Sequence, residues 1–446
     1  MSARPSIWQL AFPSILGNLS YSLVGMAQTK FIAELGAEGL AAAGAGQRMF
    51  FAMGAILMAV SVGTTALVAR AWGAEDYREA SRVTMASLVL GSAIALVVGI
   101  LGVLFSTPIA SLFGLNPVAL QMASDNIRWL ATFNVAFACN FILSAALRAS
   151  GDAWTPLWIS IAVNVINLPL MYIFIFGHYG APAMGVAGTA VAAGLAFTVG
   201  GGIMLVMWLK QKFRVKHVSG GWWRRERLRQ LLHIGYPTVL EQAVIQAGFL
   251  VFLMIIGNYY GTEAFAAYSI GVNILAICMT VGFGFSIAGS TLVGQNLGAN
   301  DPDAAMRSGW RAVSYAILSM GGLSALILIF AQEIAAFFIG DEPETVRLTV
   351  QFMYILGAML PLLAVDFTIG GALRGAGDTR FPLVATILGL LLMRCGLAAI
   401  ATYMGLTVEY VYAAIIGDYV LKGCLLLWRF RSGRWKKAVT VTPISH

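Results

Sequence analysis

The chain has 446 residues, of which 59% are hydrophobic and only 11% are charged, and its net charge is +8. A soluble globular protein carries roughly 25% charged residues, so water cannot solvate the surface of this chain and lipid must do so. The apolar runs are about 20 residues or longer, which is the length of a membrane-spanning helix. A transmembrane β-barrel would show alternating segments of about 10 residues, and this pattern is not seen.

Taken in chain order, the hydropathy pattern predicts an all-α polytopic membrane protein with twelve transmembrane helices. The expected spans are 7–30, 42–69, 84–105, 127–147, 154–176, 184–209, 234–257, 264–293, 312–338, 349–372, 382–402 and 408–428. We expect an N-terminal six-helix lobe (1–209), a basic cytoplasmic linker with a short amphipathic helix (210–233), and a C-terminal six-helix lobe with a basic cytoplasmic tail (234–446).

The two halves of the chain repeat each other. Residues 67–80 (LVARAWGAEDYREA) correspond to residues 292–305 (LVGQNLGANDPDAA), and residues 147–157 (LRASGDAWTPL) correspond to residues 373–383 (LRGAGDTRFPL). The offsets of 225 and 226 residues are nearly constant and keep the matches in order. The sequence therefore predicts two pseudo-symmetric lobes, an arrangement in which substrate paths usually lie at the repeat interface.

The basic residues are distributed unevenly along the chain. If the N-terminus is cytoplasmic, 22 of the 28 lysines and arginines fall in cytoplasmic segments, whereas the outer loop 341–344 reads Asp-Glu-Pro-Glu. The positive-inside rule then places both termini in the cytoplasm. We interpret the basic segment 210–229 as this topology signal with contact to anionic lipid, and not as a nucleic-acid site.

The sequence offers no enzyme motif. There is no G-x-x-x-x-G-K-[ST] phosphate loop, no G-x-S-x-G elbow, and no cluster of His, Cys and carboxylate residues with metal-ligand spacing. We therefore expect a protein that is not an enzyme and needs no cofactor. Any transport must draw on an ion gradient, H⁺ or Na⁺, or on the gradient of the substrate itself.

Several motifs resemble those of one transporter family. They are the two copies of L-R-x-x-G-D-x-x-x-P-L after the fourth and tenth spans, the paired segments at 67–80 and 292–305, the two asparagines of the fifth span, and the tail RFRSGRW at 429–435. In these features, over essentially its whole length, the chain resembles the multidrug and toxic compound extrusion (MATE) family, and looks similar to its bacterial DinF-like branch.

The resemblance implies two six-helix lobes that face a central cavity. It implies a secondary active exporter in the bacterial inner membrane, which antiports organic cations or amphiphiles against H⁺ or Na⁺ by alternating access. We expect a monomer whose partners are these small molecules and the lipid bilayer. The alternatives are a lipid or lipid-linked oligosaccharide flippase of the same superfamily and a membrane-embedded transferase.

The chain departs from the family pattern in its N-terminal half. Many bacterial members carry an aspartate on the first helix, where this chain has Gln28, and another on the fifth helix, where it has Met171. A mechanism that protonates an N-lobe aspartate cannot be carried over, and a polar but uncharged interior is expected. The candidates for lining a substrate cavity are Asn18, Gln28, Asn140, Asn164, Asn167 and Met171.

Deep charges lie only in the C-terminal half. An ionisable side chain within a span costs about 2.5–3.5 kcal/mol on insertion scales, so it is a candidate functional residue. Glu241 and Asp366 lie at a similar depth, about 10 Å from the cytoplasmic face at 1.5 Å per residue. We expect them to share a cavity and exchange protons, or to bind Na⁺ together with Gln242 and Thr368. Alternatively, backbone groups or an arginine neutralise each carboxylate separately.

Arg394 and Asp418 lie on consecutive spans near the middle of the membrane. We expect them to form an ion pair, with Lys422 as a competing partner four residues after Asp418. With Glu241 and Asp366 they complete the set of cation-coupling candidates.

Overall fold

The computed structural model describes residues 5–339 and 343–438, with the side chains of Thr262 and Ile339 left out. Half of the predicted outer loop at 341–344 lies outside these residues, and so do both chain ends on which the predicted orientation depends.

Within the described residues the chain is built from helices. They are α1 (Ile7–Ala33), α2 (Gly36–Gly73), α3 (Tyr77–Leu104), α4 (Ser106–Ser111), α5 (Pro117–Thr132), α6 (Asn134–Ala149), α7 (Trp154–Phe176), α8 (Val186–Leu209), α9 (Arg225–Gly261), α10 (Glu263–Gly298), α11 (Pro302–Ile329), α12 (Ala331–Ile339), α13 (Pro343–Gly375), α14 (Arg380–Tyr403) and α15 (Val408–Arg431).

The predicted all-α class with twelve spans is confirmed. In the part of the chain that the structure describes, eleven helices are long and apolar enough to cross a membrane. The number becomes twelve when α5 and α6, which are bent by 51° at a short break, count as one span. This length and hydropathy follow directly from the apolar runs of the sequence.

Three of the predicted boundaries are wrong. The fourth span is not a straight helix over 127–147, because α5 and α6 meet at a bend, where the side-chain amide of Asn134 donates to the carbonyl of Ala95 on α3 at 2.9 Å. The ninth span, predicted at 312–338, crosses the break at Phe330 between α11 and α12. The short amphipathic helix of the linker is not separate, since residues from Arg225 onward form the first turns of α9.

The chain divides into two compact units. One comprises Leu16–Gly235, and the other comprises Met1–Ile15 together with Tyr236–His446. The first turns of α1 thus pack with the C-terminal helices, where the ring of Trp8 meets Phe285 edge-on at 5.4 Å. We call the two units the N unit and the C unit. The predicted lobe limits at 209 and 234 stay predictions.

The repeated L-R-x-x-G-D motif forms the same turn in each unit. Its glycines, Gly151 and Gly377, have φ values of 93° and 87°, a left-handed conformation that closes a helix and favours glycine. The aspartates that follow, Asp152 and Asp378, donate their amides to the carbonyl five residues earlier, at 3.0 Å and 2.9 Å. The motif is therefore a helix stop, preserved in both copies.

The other repeated motif forms a matched turn as well. Glu75 and Asn300 both adopt a left-handed backbone, with φ values of 59° and 55°. The next residues, Asp76 and Asp301, then cap the following helices by accepting a backbone amide hydrogen at 2.9 Å and 2.8 Å. The two halves thus repeat in geometry as well as in sequence.

The tail RFRSGRW folds onto the C unit. After α15 the chain turns at Gly433, where φ is 69°, and the ring of Trp435 stacks on Phe430 at 4.8 Å between centroids. The Trp435 Nε1 donates to the Phe430 carbonyl at 2.7 Å. Both rings are fully buried, so the described part of the predicted basic tail packs onto the C unit.

Candidate functional site

Glu241 is held by an arginine on a neighbouring helix. It lies about one and a half turns into the C-unit part of α9 and is 3% exposed. The Nη2 of Arg374, at the end of α13, donates to Glu241 Oε1 at 2.6 Å, and Thr386 Oγ1 on α14 donates to the same oxygen at 3.2 Å. The other carboxylate oxygen, Oε2, is buried and accepts no hydrogen bond from the described residues. Glu241 is therefore neutralised, yet one of its oxygens remains available to a further ligand.

Asp366 belongs to a second group of charges on three helices. Lys422 Nζ on α15 lies 3.4 Å from Asp366 Oδ2 on α13 and also 3.4 Å from Asp418 Oδ1. The other oxygen of Asp418 lies 2.6 Å from Nη2 of Arg394 on α14. Acid and base thus alternate in the order Asp366, Lys422, Asp418 and Arg394. We call these four residues the charge chain.

Aromatic rings surround the buried end of the charge chain. The Arg394 guanidinium lies over the rings of Phe249, Tyr419 and Phe252, at 5.2, 5.3 and 5.9 Å from their centroids. Lys422 Nζ lies 4.1 Å from the centroid of Tyr419. Ring faces attract cations, so the two basic side chains keep favourable contacts in addition to the carboxylates.

A π-helix positions Arg394. Residues 387–395 of α14 have i→i+5 hydrogen bonds, a rare geometry that is frequent at functional sites. With this periodicity, residues five apart return to nearly the same face, and Gly389 and Arg394 both face Asp418. A Cβ at Gly389 would overlap Asp418 Oδ1 and the stem of Lys422. The glycine thus creates the space that the two charged side chains occupy.

The members of the site differ in their access to solvent. Asp418 is fully buried and Arg394 is 2% exposed, whereas 23% of the Asp366 side chain is accessible. Three carboxylates and three basic groups balance to zero when the Glu241–Arg374 pair is included. A buried set of charges must be compensated in this way. Asp366 is therefore the carboxylate that an incoming cation reaches most readily.

The structure corrects one expectation about these residues and confirms another. Glu241 and Asp366 were expected to act as a carboxylate pair, but each lies against its own basic partner, Arg374 or Lys422. This agrees with the alternative in which the acids are neutralised separately. The expected contact between Arg394 and Asp418 is confirmed. The coupling role of all these residues stays a prediction.

The polar candidates of the N unit are uncharged amides that differ in their hydrogen bonding. Asn164 Nδ2 donates to Ser20 Oγ on α1 at 2.8 Å, which ties α7 to α1. Asn167 Oδ1 and Asn140 Nδ2 are buried and form no hydrogen bond with described residues. Asn18 is half-buried. These amides could receive a polar ligand, although Asn164 already has the interhelical bond that a structural role requires.

Gln28 and Met171, the two positions where many bacterial family members carry an aspartate, differ in burial. Gln28 is half-buried on α1. Met171 is 0% exposed and lies in an apolar cluster with Ile175 and Ala192, against Phe31 of α1. In this structure the thioether packs in the core, and its expected place in a substrate cavity stays a prediction.

Sequence reasoning missed three contributors to the site. Arg374 was seen only as part of the repeated motif, Gly389 was not noticed, and Lys422 was linked to Asp418 but not to Asp366. The first two leave little signal in a single sequence. Lys422 itself was noticed, because a lysine in a membrane span is rare, but its contact with Asp366 depends on helix packing.

The site does not have the composition of a transition-metal centre. Among the described residues there is no group of three or more His, Cys, Asp or Glu side chains that could hold a metal ion. Carboxylate and hydroxyl oxygens are nevertheless ligands for hard cations, and the buried Thr368 Oγ1 forms no hydrogen bond with described residues. The available chemistry is exchange of a proton or a small hard cation at a carboxylate.

Comparison with known proteins gives one consistent result. A family model named MatE matches residues 13–173 and 237–400. The probable multidrug resistance protein NorM of Thermotoga maritima is 28% identical over 446 residues, covering 98% of this chain and 94% of that protein. The multidrug resistance protein NorM of Burkholderia vietnamiensis is 28% identical over 440 residues, covering 95% and 92%.

Two solved structures show the same fold. A MOP superfamily transporter from Pyrococcus furiosus, described as having a binding pocket of reverse polarity, gives a TM-score of 0.89 at 24% identity and covers 97% of this chain and 96% of its own. An outward-facing multidrug resistance MATE family transporter gives 0.88 at 23% identity, with 96% of each chain covered. At these identities the likeness supports the helical architecture and leaves the substrate open.

Proposed function

The chain belongs to the MATE family, and from this premise we propose that it is a secondary active exporter of organic cations or amphiphiles. It would antiport them against H⁺ or Na⁺ by alternating access. The relatives named as multidrug resistance proteins over nearly the full length of the chain support this choice of substrate class. We further propose that it works in a bacterial inner membrane with both termini in the cytoplasm, as the basic segments indicate.

One observation carries the proposal for the coupling site. Asp366 is a carboxylate within a candidate span whose side chain is 23% accessible and whose basic partner lies at 3.4 Å, at the long end for a charge-assisted contact. An acid in a membrane helix is costly and therefore a candidate functional residue by default. We infer that Asp366 takes up the coupling ion, and that Glu241 stays paired with Arg374.

This assignment changes how coupling would work. A pair of adjacent carboxylates would share one proton, but the separate partners of Glu241 and Asp366 leave a single acid free to exchange its cation. Proton, Na⁺ and cationic substrate would then compete for one carboxylate. Mutual exclusion at a single site is one requirement for antiport, because the ion that arrives from outside displaces the substrate.

The flippase alternative receives less support. A lipid-linked pyrophosphate needs basic groups that are free to bind its phosphates. The deep basic side chains of the C unit, Arg374, Arg394 and Lys422, each lie against a carboxylate. Binding an anion would require breaking these pairs and leaving buried acids uncompensated.

Ethidium efflux from proteoliposomes tests the proposal. The purified protein is reconstituted and driven by a pH gradient without Na⁺, by a Na⁺ gradient without a pH gradient, or by neither. We expect one gradient to drive uphill efflux in the wild type, and Asp366→Asn to abolish it. Asp303→Asn, an aspartate of the same unit with 78% side-chain exposure, is the matched control and should transport normally. Uphill transport by Asp366→Asn at the wild-type rate would refute the coupling site.

A further inference from the structure

We propose that Lys422 is a built-in counter-cation for Asp366. It occupies this carboxylate when no transported cation is bound, and withdraws to Asp418 when H⁺, Na⁺ or a cationic substrate arrives. The inference rests on the proposed coupling role of Asp366 and adds to it a regulator within the same site. The observations behind it are the two equal distances of Lys422, an unsatisfied acceptor on Asp418, and the absence of a side chain at Gly389, which lies against both groups.

Lys422 lies midway between two carboxylates. Its Nζ is 3.4 Å from Asp366 Oδ2 and 3.4 Å from Asp418 Oδ1, so neither contact has the distance of about 2.7–2.9 Å typical of a strong charge-assisted bond. A shift of well under 1 Å would shorten one contact at the expense of the other. A cation held equally by two acids is a two-state element, which a competing ion can bias.

Asp418 has a carboxylate oxygen that can accept a hydrogen bond from the Lys422 ammonium group. It is 0% exposed, and although Arg394 Nη2 lies 2.6 Å from its Oδ2, neither of its oxygens accepts a well-aligned hydrogen bond from the described residues. A buried carboxylate oxygen without such a bond is unfavourable. Closer approach of Lys422 would satisfy Oδ1, and this gain offsets the contact that Lys422 loses at Asp366.

The surroundings permit this movement. Gly389 lets Asp418 Oδ1 and the Lys422 stem lie close against α14, because a Cβ there would overlap both. The Tyr419 ring lies 4.1 Å from Nζ and provides a cation–π contact beside the lysine. The lysine side chain, a compact charge on a flexible stem, is suited to exchange between partners, unlike the planar guanidinium of arginine.

The counter-cation would keep the ion site neutral while no transported cation is bound. The charged groups that act on Asp366 are Lys422 and Asp418 from α15, Arg374 from its own helix, and Glu241 from α9. Arg374 is committed to Glu241 at 2.6 Å, which leaves Lys422 as the group that can neutralise Asp366 while the site awaits a cation. The lysine would also lower the apparent affinity for cations. If it occupies Asp366 in about 90% of molecules, the apparent affinity falls about tenfold.

The test measures the half-saturating concentration of the coupling ion for ethidium efflux. NaCl is titrated at constant pH, and external pH is varied without Na⁺. We expect Lys422→Met to lower the half-saturating concentration about tenfold and to slow maximal efflux, because the empty site then bears an uncompensated charge. Lys422→Arg should restore part of both values. Lys436→Met, a lysine of the same unit outside the site, should match the wild type.

Gly389→Ala provides a second test that keeps every charge. A methyl group there crowds Lys422 and Asp418, hinders the withdrawn position and should raise the half-saturating concentration. Melting temperature in detergent shows that each variant is folded. A folded Lys422→Met with unchanged half-saturation overturns the counter-cation, and so does a folded Gly389→Ala that lowers it. If Lys422→Met does not fold, Gly389→Ala decides alone. Retained coupling in Asp366→Asn would instead refute the proposed function.

Discussion

The contact between Arg394 and Asp418 predicts a large coupling energy. The two charged groups are 2.6 Å apart, and their side chains are 2% and 0% exposed. Removing one partner of a buried ion pair costs about 3–5 kcal/mol, because the remaining charge is left uncompensated. We therefore expect Arg394→Met and Asp418→Asn each to destabilise the C unit strongly.

Both single variants should lose unfolding free energy near the lower end of this range, because each remaining charge keeps other contacts. After Arg394→Met, Asp418 still has Lys422 at 3.4 Å, and after Asp418→Asn the guanidinium keeps its contacts with three aromatic rings. Each single change should therefore cost about 3 kcal/mol. The double variant contains neither charge, so its loss should be close to that of one single variant. The coupling energy is then about 2–3 kcal/mol.

Thermal unfolding in detergent micelles, followed by tryptophan fluorescence, measures these effects. A loss of about 3 kcal/mol should lower the melting temperature of a unit of roughly 200 residues by about 6–12 °C. The pair Lys436–Asp303, with side chains 27% and 78% exposed, is the control, and its cycle should give about 0–1 kcal/mol. Additivity of the Arg394 and Asp418 losses to within about 0.5 kcal/mol would refute the argument.

Two further predictions concern the repeated turn and the N unit. Gly377→Ala should destabilise the C unit by about 1–3 kcal/mol, since its φ of 87° is strained for any residue with a side chain; a thermal melt equal to that of the wild type would contradict this. Met171→Ala should cost about 2–5 kcal/mol because the side chain is fully buried. Gln28→Ala, at a half-buried position, should melt close to the wild type. Both N-unit variants should keep the wild-type ion dependence of ethidium efflux, and its loss in either would contradict assignment of coupling to the C unit.

The sequence alone determined the features that depend on local composition. Apolar runs of spanning length predicted the helices, because a backbone in lipid must satisfy its own hydrogen bonds. The repeated motifs predicted two matching halves, and Gly151 and Gly377 have the same left-handed conformation, which a glycine adopts without strain. The costly acids of the C-terminal half identified the candidate site for a similar reason, because charge within a span is exceptional.

The pairing of those acids was decided only by the tertiary structure. Counting residues along a helix predicts the depth of a side chain, and it led to the expectation that Glu241 and Asp366 lie near one level. It does not give the rotation of each helix relative to its neighbours, and this rotation directs Glu241 to Arg374 and Asp366 to Lys422. The π-helix that brings Gly389 to Asp418 could not be predicted from the sequence either. Its hydrogen-bond register is less favourable than that of an α-helix, so it depends on contacts with another helix that no local pattern in the sequence records.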